Sequence, residues 1–129
     1  RLSQVPLREE RFDDDFRELC TLLWFRGLDA RESALLRTYF GEMVRLPQLA
    51  VVVRQFYYGM ADALVAKVSA AQGYGRFRGK DPSAVADCAI SMYVSTPRLR
   101  TMLLDPQIRD KVQGAAHRDM LWRFMRDLA

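Results

Sequence analysis

A chain of 129 residues has the length of a single domain. Half of its residues are apolar, 28% are charged and the formal net charge is +4, which excludes disordered and collagen-like classes. Two cysteines, Cys20 and Cys88, are too few for a disulfide scaffold and too far apart for a metal-ligand pair, so a reducing, cytoplasmic setting is expected. The longest apolar runs, such as Leu49 to Val53, fall short of the ~20 residues a membrane span needs, and no membrane partner is expected. No basic start, apolar stretch and small-residue cleavage site follow one another as in a signal peptide. The first residue is Arg1, so a fragment or processed product of something longer is the expectation.

Charge is uneven along the chain, with nets of −1, +4 and +1 over residues 1–28, 29–80 and 81–129. The central excess includes Arg76, Arg78 and Lys80 around Phe77 and Gly79. Three cations in one loop read as a solvated turn, not as the dense basic stripe of a nucleic-acid footprint.

Periodicity predicts helices almost throughout. Residues 1–12, with Leu2, Val5, Leu7, Phe12 and Pro6, read as a lead-in or the remnant of a preceding helix. Residues 13–129 read as one helical domain. Asp13, Asp14 and Asp15 supply a cap and an acidic first turn for the first helix, which Gly27 ends. Asp29 and Glu32 form a capping box for the second. It carries two adjoining apolar stripes, Leu35/Tyr39/Met43 and Leu36/Phe40/Val44, which predict contact on more than one side. After Pro47 a third helix runs to about Ala71, stopped by Gly73 and Gly75. Asp81-Pro82 opens a fourth, over 81–95, stopped by Pro97. Asp105-Pro106 opens the last, whose row Ile108, Val112, Ala116, Met120 and Phe124 repeats every four residues. The fold class that follows is an all-α bundle of five or more helices.

Catalytic constellations are lacking. His117 is the sole histidine, which removes multi-histidine metal sites and a ready imidazole base. The triple aspartate points in three directions from a helix start and reads as a cap. Gly73-x-Gly75 lacks the strand and lysine of a phosphate loop. Cys20 and Cys88 read as small buried apolar residues. Neither an enzyme, a cofactor nor a metal is expected. What stands out is a surplus of six methionines and fourteen aromatics. Core packing accounts for most of it; a cavity between helices, with tyrosine hydroxyls as its few polar groups, is the sharper account. Its expected lining is Trp24, Tyr39, Met43, Phe56, Tyr57, Met60 and Met92. Because charged residues are nearly missing from these stripes, the expected ligand is neutral or weakly polar.

The stretch from Leu35 to Leu104 resembles the C-terminal regulatory half of the TetR/AcrR-like transcriptional regulators. The resemblance lies in Gly41-Glu42-Met43-Val44-Arg45-Leu46-Pro47-Gln48-Leu49, and in the long helix that follows with Phe56 and Tyr57. It continues through the turn Gly73-Tyr74-Gly75-Arg76-Phe77-Arg78 and the helix start Asp81-Pro82-Ser83-Ala84-Val85-Ala86. The tail from His117 to Arg126 looks like that family's last helix. The resemblance implies an apolar effector pocket and a homodimer built on the last two helices. The family's helix-turn-helix signature is not found in these 129 residues, so DNA contact would run only through a segment outside them. The alternative is a helical interaction and dimerisation module with no small-molecule pocket.

Overall fold

The computed structural model describes residues 2–129 and is helical, with no strand among them. Six α-helices follow in chain order: α1 Phe12–Leu28, α2 Ala30–Met43, α3 Leu49–Gln72, α4 Pro82–Ala89, α5 Thr96–Met102 and α6 Lys111–Leu128. A π-helical segment, Ile90–Ser95, joins α4 to α5, so these two form one rod and the all-α bundle is built of five rods.

Helix starts obey local chemistry. The Asp29 carboxylate accepts the Glu32 amide at 2.7 Å, Asp81 that of Ser83 at 3.1 Å, and Asp110 that of Gln113 at 2.9 Å, each satisfying an amide that the first turn leaves without a helical partner. Asp110, not Asp105, therefore caps the last helix. Asp105-Pro106 opens a separate 3₁₀ turn, Pro106–Arg109, which takes Ile108 off the α6 row and into the core.

Three further expectations are corrected. Asp13, Asp14 and Asp15 form the expected acidic first turn of α1 but do not cap it: the residue before the helix is Arg11, with no side-chain cap. Asp15 is buried and holds Arg8 through the backbone amide and Nε, both at 2.9 Å, and through Nη2 at 2.8 Å. α1 ends at Leu28, one residue past Gly27 and so about where expected, but the glycine serves a contact and not the stop: a Cβ there would come within 2.5 Å of the Val94 carbonyl oxygen and 2.6 Å of Pro97 Cγ. Pro97 does not stop the fourth helix. It lacks the N–H that a regular turn would need and its ring crowds the carbonyl four residues back; the preceding π turn widens the helix and lets it continue.

α1 is the central element. Phe12, Phe16, Leu19, Cys20, Leu23 and Trp24 are buried against the π segment, α5 and α6. Phe77, in the cationic loop, is a core plug rather than a solvated residue. Its ring meets Phe12 at 5.6 Å and Phe16 at 5.3 Å, edge to face, and its amide donates to the Ala129 carbonyl at 3.1 Å. Phe16 also meets Trp122 of α6 at 5.4 Å. The lead-in is tied down: Tyr74 Oη donates to the Leu7 carbonyl at 2.6 Å and Lys67 Nζ to those of Ser3 and Val5.

The α2–α3 hairpin is the least covered part. Of α2 only Ser33 and Leu36 are buried, while Leu35, Phe40 and Val44 are exposed, Val44 at 92%. α2 nonetheless touches two elements, α3 and α5, as its two stripes predict. α3 is also long and apolar enough to cross a membrane by length and composition, contrary to the expectation from its short uninterrupted runs. Met60, Ala61, Leu64, Val68 and Ala71 along its C-terminal part are buried in the protein.

Candidate functional site

The π segment faces α2 and α3 across a cleft of about 180 Å³. Leu36 and Phe40 of α2, Val53, Phe56, Tyr57 and Met60 of α3, and Ile90, Val94 and Ser95 of the rod line it. The spacing explains the convergence: Leu36/Phe40, Phe56/Met60 and Ile90/Val94 are each four apart, so each helix presents two side chains in one direction. Met60 is buried at the bottom and Phe40 is half exposed at the mouth.

Three of the seven expected lining residues, Phe56, Tyr57 and Met60, meet here. Tyr39 and Met43 are half-buried on the neighbouring stripe of α2, outside the lining. Met92 is half-buried against the core. Trp24 faces the other way: its indole is fully buried beside the His117 ring at 5.0 Å and under the Arg118 guanidinium at 5.8 Å. Gly114 of α6 packs beside it, 4.0 Å from the indole to where a Cβ would stand, an ordinary van der Waals contact.

Polar groups occupy two edges. On one, the Tyr57 hydroxyl donates to the Asp87 carboxylate, joining α3 to α4; burial, and then this carboxylate, push the phenol up to about 12. On the other lie Arg26, Glu32 and Arg98. Arg98 is buried, donating to Ser33 Oγ at 2.8 Å, to the Arg26 carbonyl at 3.0 Å and to Glu32. Burial lowers its pKa and Glu32 pulls it back, leaving a cation. Glu32 also accepts from Arg26 Nε at 3.3 Å, so its side chain does not complete the capping box. The cleft is thus not free of charge, contrary to the sequence reading. Arg98 lies 66 residues from Glu32, a pairing that no local pattern announces.

Among the described residues no group of three or more His, Cys, Asp or Glu is placed to hold a metal ion. On α6, Val112, Ala116, Met120 and Phe124 point to solvent, with Val112 80% and Met120 61% exposed, whereas Gly114, Trp122 and Met125 face the core. Comparison with family models, with curated proteins and with solved structures found no match.

Proposed function

We propose that the chain is an effector-sensing and dimerisation domain of a TetR-like transcriptional repressor, with a small, mainly apolar ligand seated in the cleft between α2, α3 and the π segment. The cleft carries the reading, because it brings Phe56, Tyr57 and Met60 together with Leu36, Ile90 and Val94 around unfilled space. At about 180 Å³ it is smaller than the ~300–1,000 Å³ of drug-sized sites, so the effector is a one-ring or short-chain compound. A ligand that holds α2 and the rod at one spacing, and binds other spacings less well, shifts the population between arrangements. The exposed α6 row would pass this to a second copy. No residue here is assigned to reading an operator.

The test is thermal unfolding with a panel of neutral one-ring compounds, on the wild type and on Met60→Ala. A compound that raises Tm in the wild type and loses its effect in the variant supports the proposal. If no compound shifts Tm, and Met60→Ala costs the roughly 2–5 kcal/mol of a solid-core methionine, the cleft is only packing.

One observation favours a second reading, an interaction module without an effector. Phe40 is 46%, Val44 92% and Tyr58 53% exposed on the hairpin, and clustered exposed apolar side chains mark protein contacts.

A further inference from the structure

The C-terminus of α5 ends in a motif that is normally built on glycine. The Leu104 amide donates to the Thr101 carbonyl and the Asp105 amide to that of Arg100, both at 3.0 Å. This is the paired bonding of a Schellman cap, whose residue after the cap adopts the left-handed conformation. Here that residue is Leu104, at φ +58, and its side chain is 73% exposed. A leucine pays conformational strain in this position, and exposure returns nothing to it in the free protein. Strained residues of this kind gather at ligand sites.

Leu104 forms one wall of a second cavity, of about 380 Å³, between the start of α2, the end of α5 and the 3₁₀ turn. Ala30, Ala34, Met102 and Ile108 supply the other apolar surface. Two guanidiniums border it, Arg37 and Arg109. Arg37 makes no ion pair or hydrogen bond among the described residues, and Arg109 spends one nitrogen on the Leu28 carbonyl at 2.7 Å. The one carboxylate in the lining, Asp105, is taken by Arg100 Nε at 2.8 Å and by the Gln107 amide at 3.0 Å. Ser33 is likewise engaged, with Arg98 and the Gly27 carbonyl, whereas the buried Thr101 hydroxyl has no hydrogen-bond partner. The cavity is therefore apolar in its walls and positive at its edge. It lies within the size range of small-molecule sites.

We infer that this cavity binds a small organic monocarboxylate, its apolar body against Leu104 and Met102 and its carboxylate on Arg37 and Arg109. A planar guanidinium suits a carboxylate better than any other side chain. The site is separate from the α2–α3 cleft and does not depend on the function proposed for it.

The test uses the ¹⁵N-labelled chain, titrated with 2-naphthoate and, as an uncharged counterpart, 2-naphthamide. Amide shifts should cluster at Ala30, Ala34, Arg37 and Thr101 to Leu104, with the amide about tenfold weaker than the acid, the size of one lost charge-assisted bond. Arg37→Gln should weaken naphthoate by about the same factor at unchanged Tm. Leu104→Gly should raise Tm, by relieving the strained backbone, and still weaken binding. Shifts centred on the α2–α3 cleft or scattered over basic surface residues would overturn the inference. So would equal binding of acid and amide, or a Leu104→Gly protein that binds as well as the wild type.

Discussion

Gly27 and Pro97 meet where α1 crosses the rod of α4, the π segment and α5, and the contact leaves no space for a Cβ on residue 27. Helix propensity alone would favour alanine over glycine by up to about 1 kcal/mol, the figure for a helix interior, and by less at this penultimate position of α1. The clash outweighs it, because one of the two atoms met is a backbone oxygen that cannot rotate away. Gly27→Ala is expected to lose about 3 kcal/mol, the upper range of overpacking costs, measured as a lower urea midpoint at unchanged slope. A stabilised variant would show that the two helices do not approach this closely.

Acid should loosen the attachment of the lead-in. The Asp15 carboxyl lies at about 2, chiefly because the Arg8 side chain donates to it, with burial opposing. Its folded pKa lies below the unfolded ~3.9, so its contribution is complete above pH 4 and is lost as pH falls through 2. Acid titration followed by circular dichroism should show this loss in the wild type. Asp15→Asn should be less stable at neutral pH and flatter between pH 4 and 2.

The two thiols should differ in reactivity. Cys20 is buried, and burial pushes its thiol up to about 12; Cys88 is only half-buried. With a chromogenic disulfide at pH 8, one thiol should react in the native protein and the second only in denaturant, since the thiolate is the reactive form. Equal, fast reaction of both would place Cys20 outside the core.

The exposed α6 row leads to a further expectation, a homodimer through Val112, Ala116, Met120 and Phe124. Large apolar patches are uncommon on monomers, and a two-fold axis would set this row against its own copy. Sedimentation should find a dimer at micromolar concentration, and Ala116→Glu should give a monomer with unchanged helicity. A wild-type monomer at high micromolar concentration would refute it.

How much of this was legible in the sequence depends on the range of each interaction. Asp29 and Asp81 announce their helices because a cap reaches only two or three residues, and Pro47 and Gly73 bracket α3 because proline and glycine act on their immediate neighbours. Gly27 and Pro97 each suggest a local role, glycine as a stop and proline as a breaker, that is not their main one, and the solvated reading of the cations at 76–80 gives no hint that Phe77 between them is buried. Their actual roles come from partners far along the chain, Val94 for Gly27 and Phe12 for Phe77. Of the cleft, spacing finds Phe56 and Met60, which share a stripe, and Tyr57 beside it, whereas Arg26, Glu32 and Arg98 escape because ion pairing carries no periodic signature. The outward α6 row could be listed from its spacing, but not which face of the helix the core would take.

The π segment leaves a mark on the numbering itself. Ala86, Ile90, Val94 and Arg98 are all buried, as are Val85, Ala89, Tyr93 and Pro97, two parallel rows with a strict interval of four. At 3.6 residues per turn such a row drifts about 40° per step, some 120° over three steps, which a regular helix keeps buried only where it is covered on several sides, as α1 is. The wide turn absorbs that drift and keeps the rows straight. The interval of four alone does not reveal this, since α1 buries the same pair of rows, Phe12/Phe16/Cys20/Trp24 and Asp15/Leu19/Leu23/Gly27, as a regular helix; the proline that ends the rod's rows is the readable sign of its wide turn. The same phase lock sets the mutational logic of the rod: tightening the turn to a regular pitch would swing Arg98 off the carbonyl of Arg26, so a one-residue change in register here would be felt at the far end of α1.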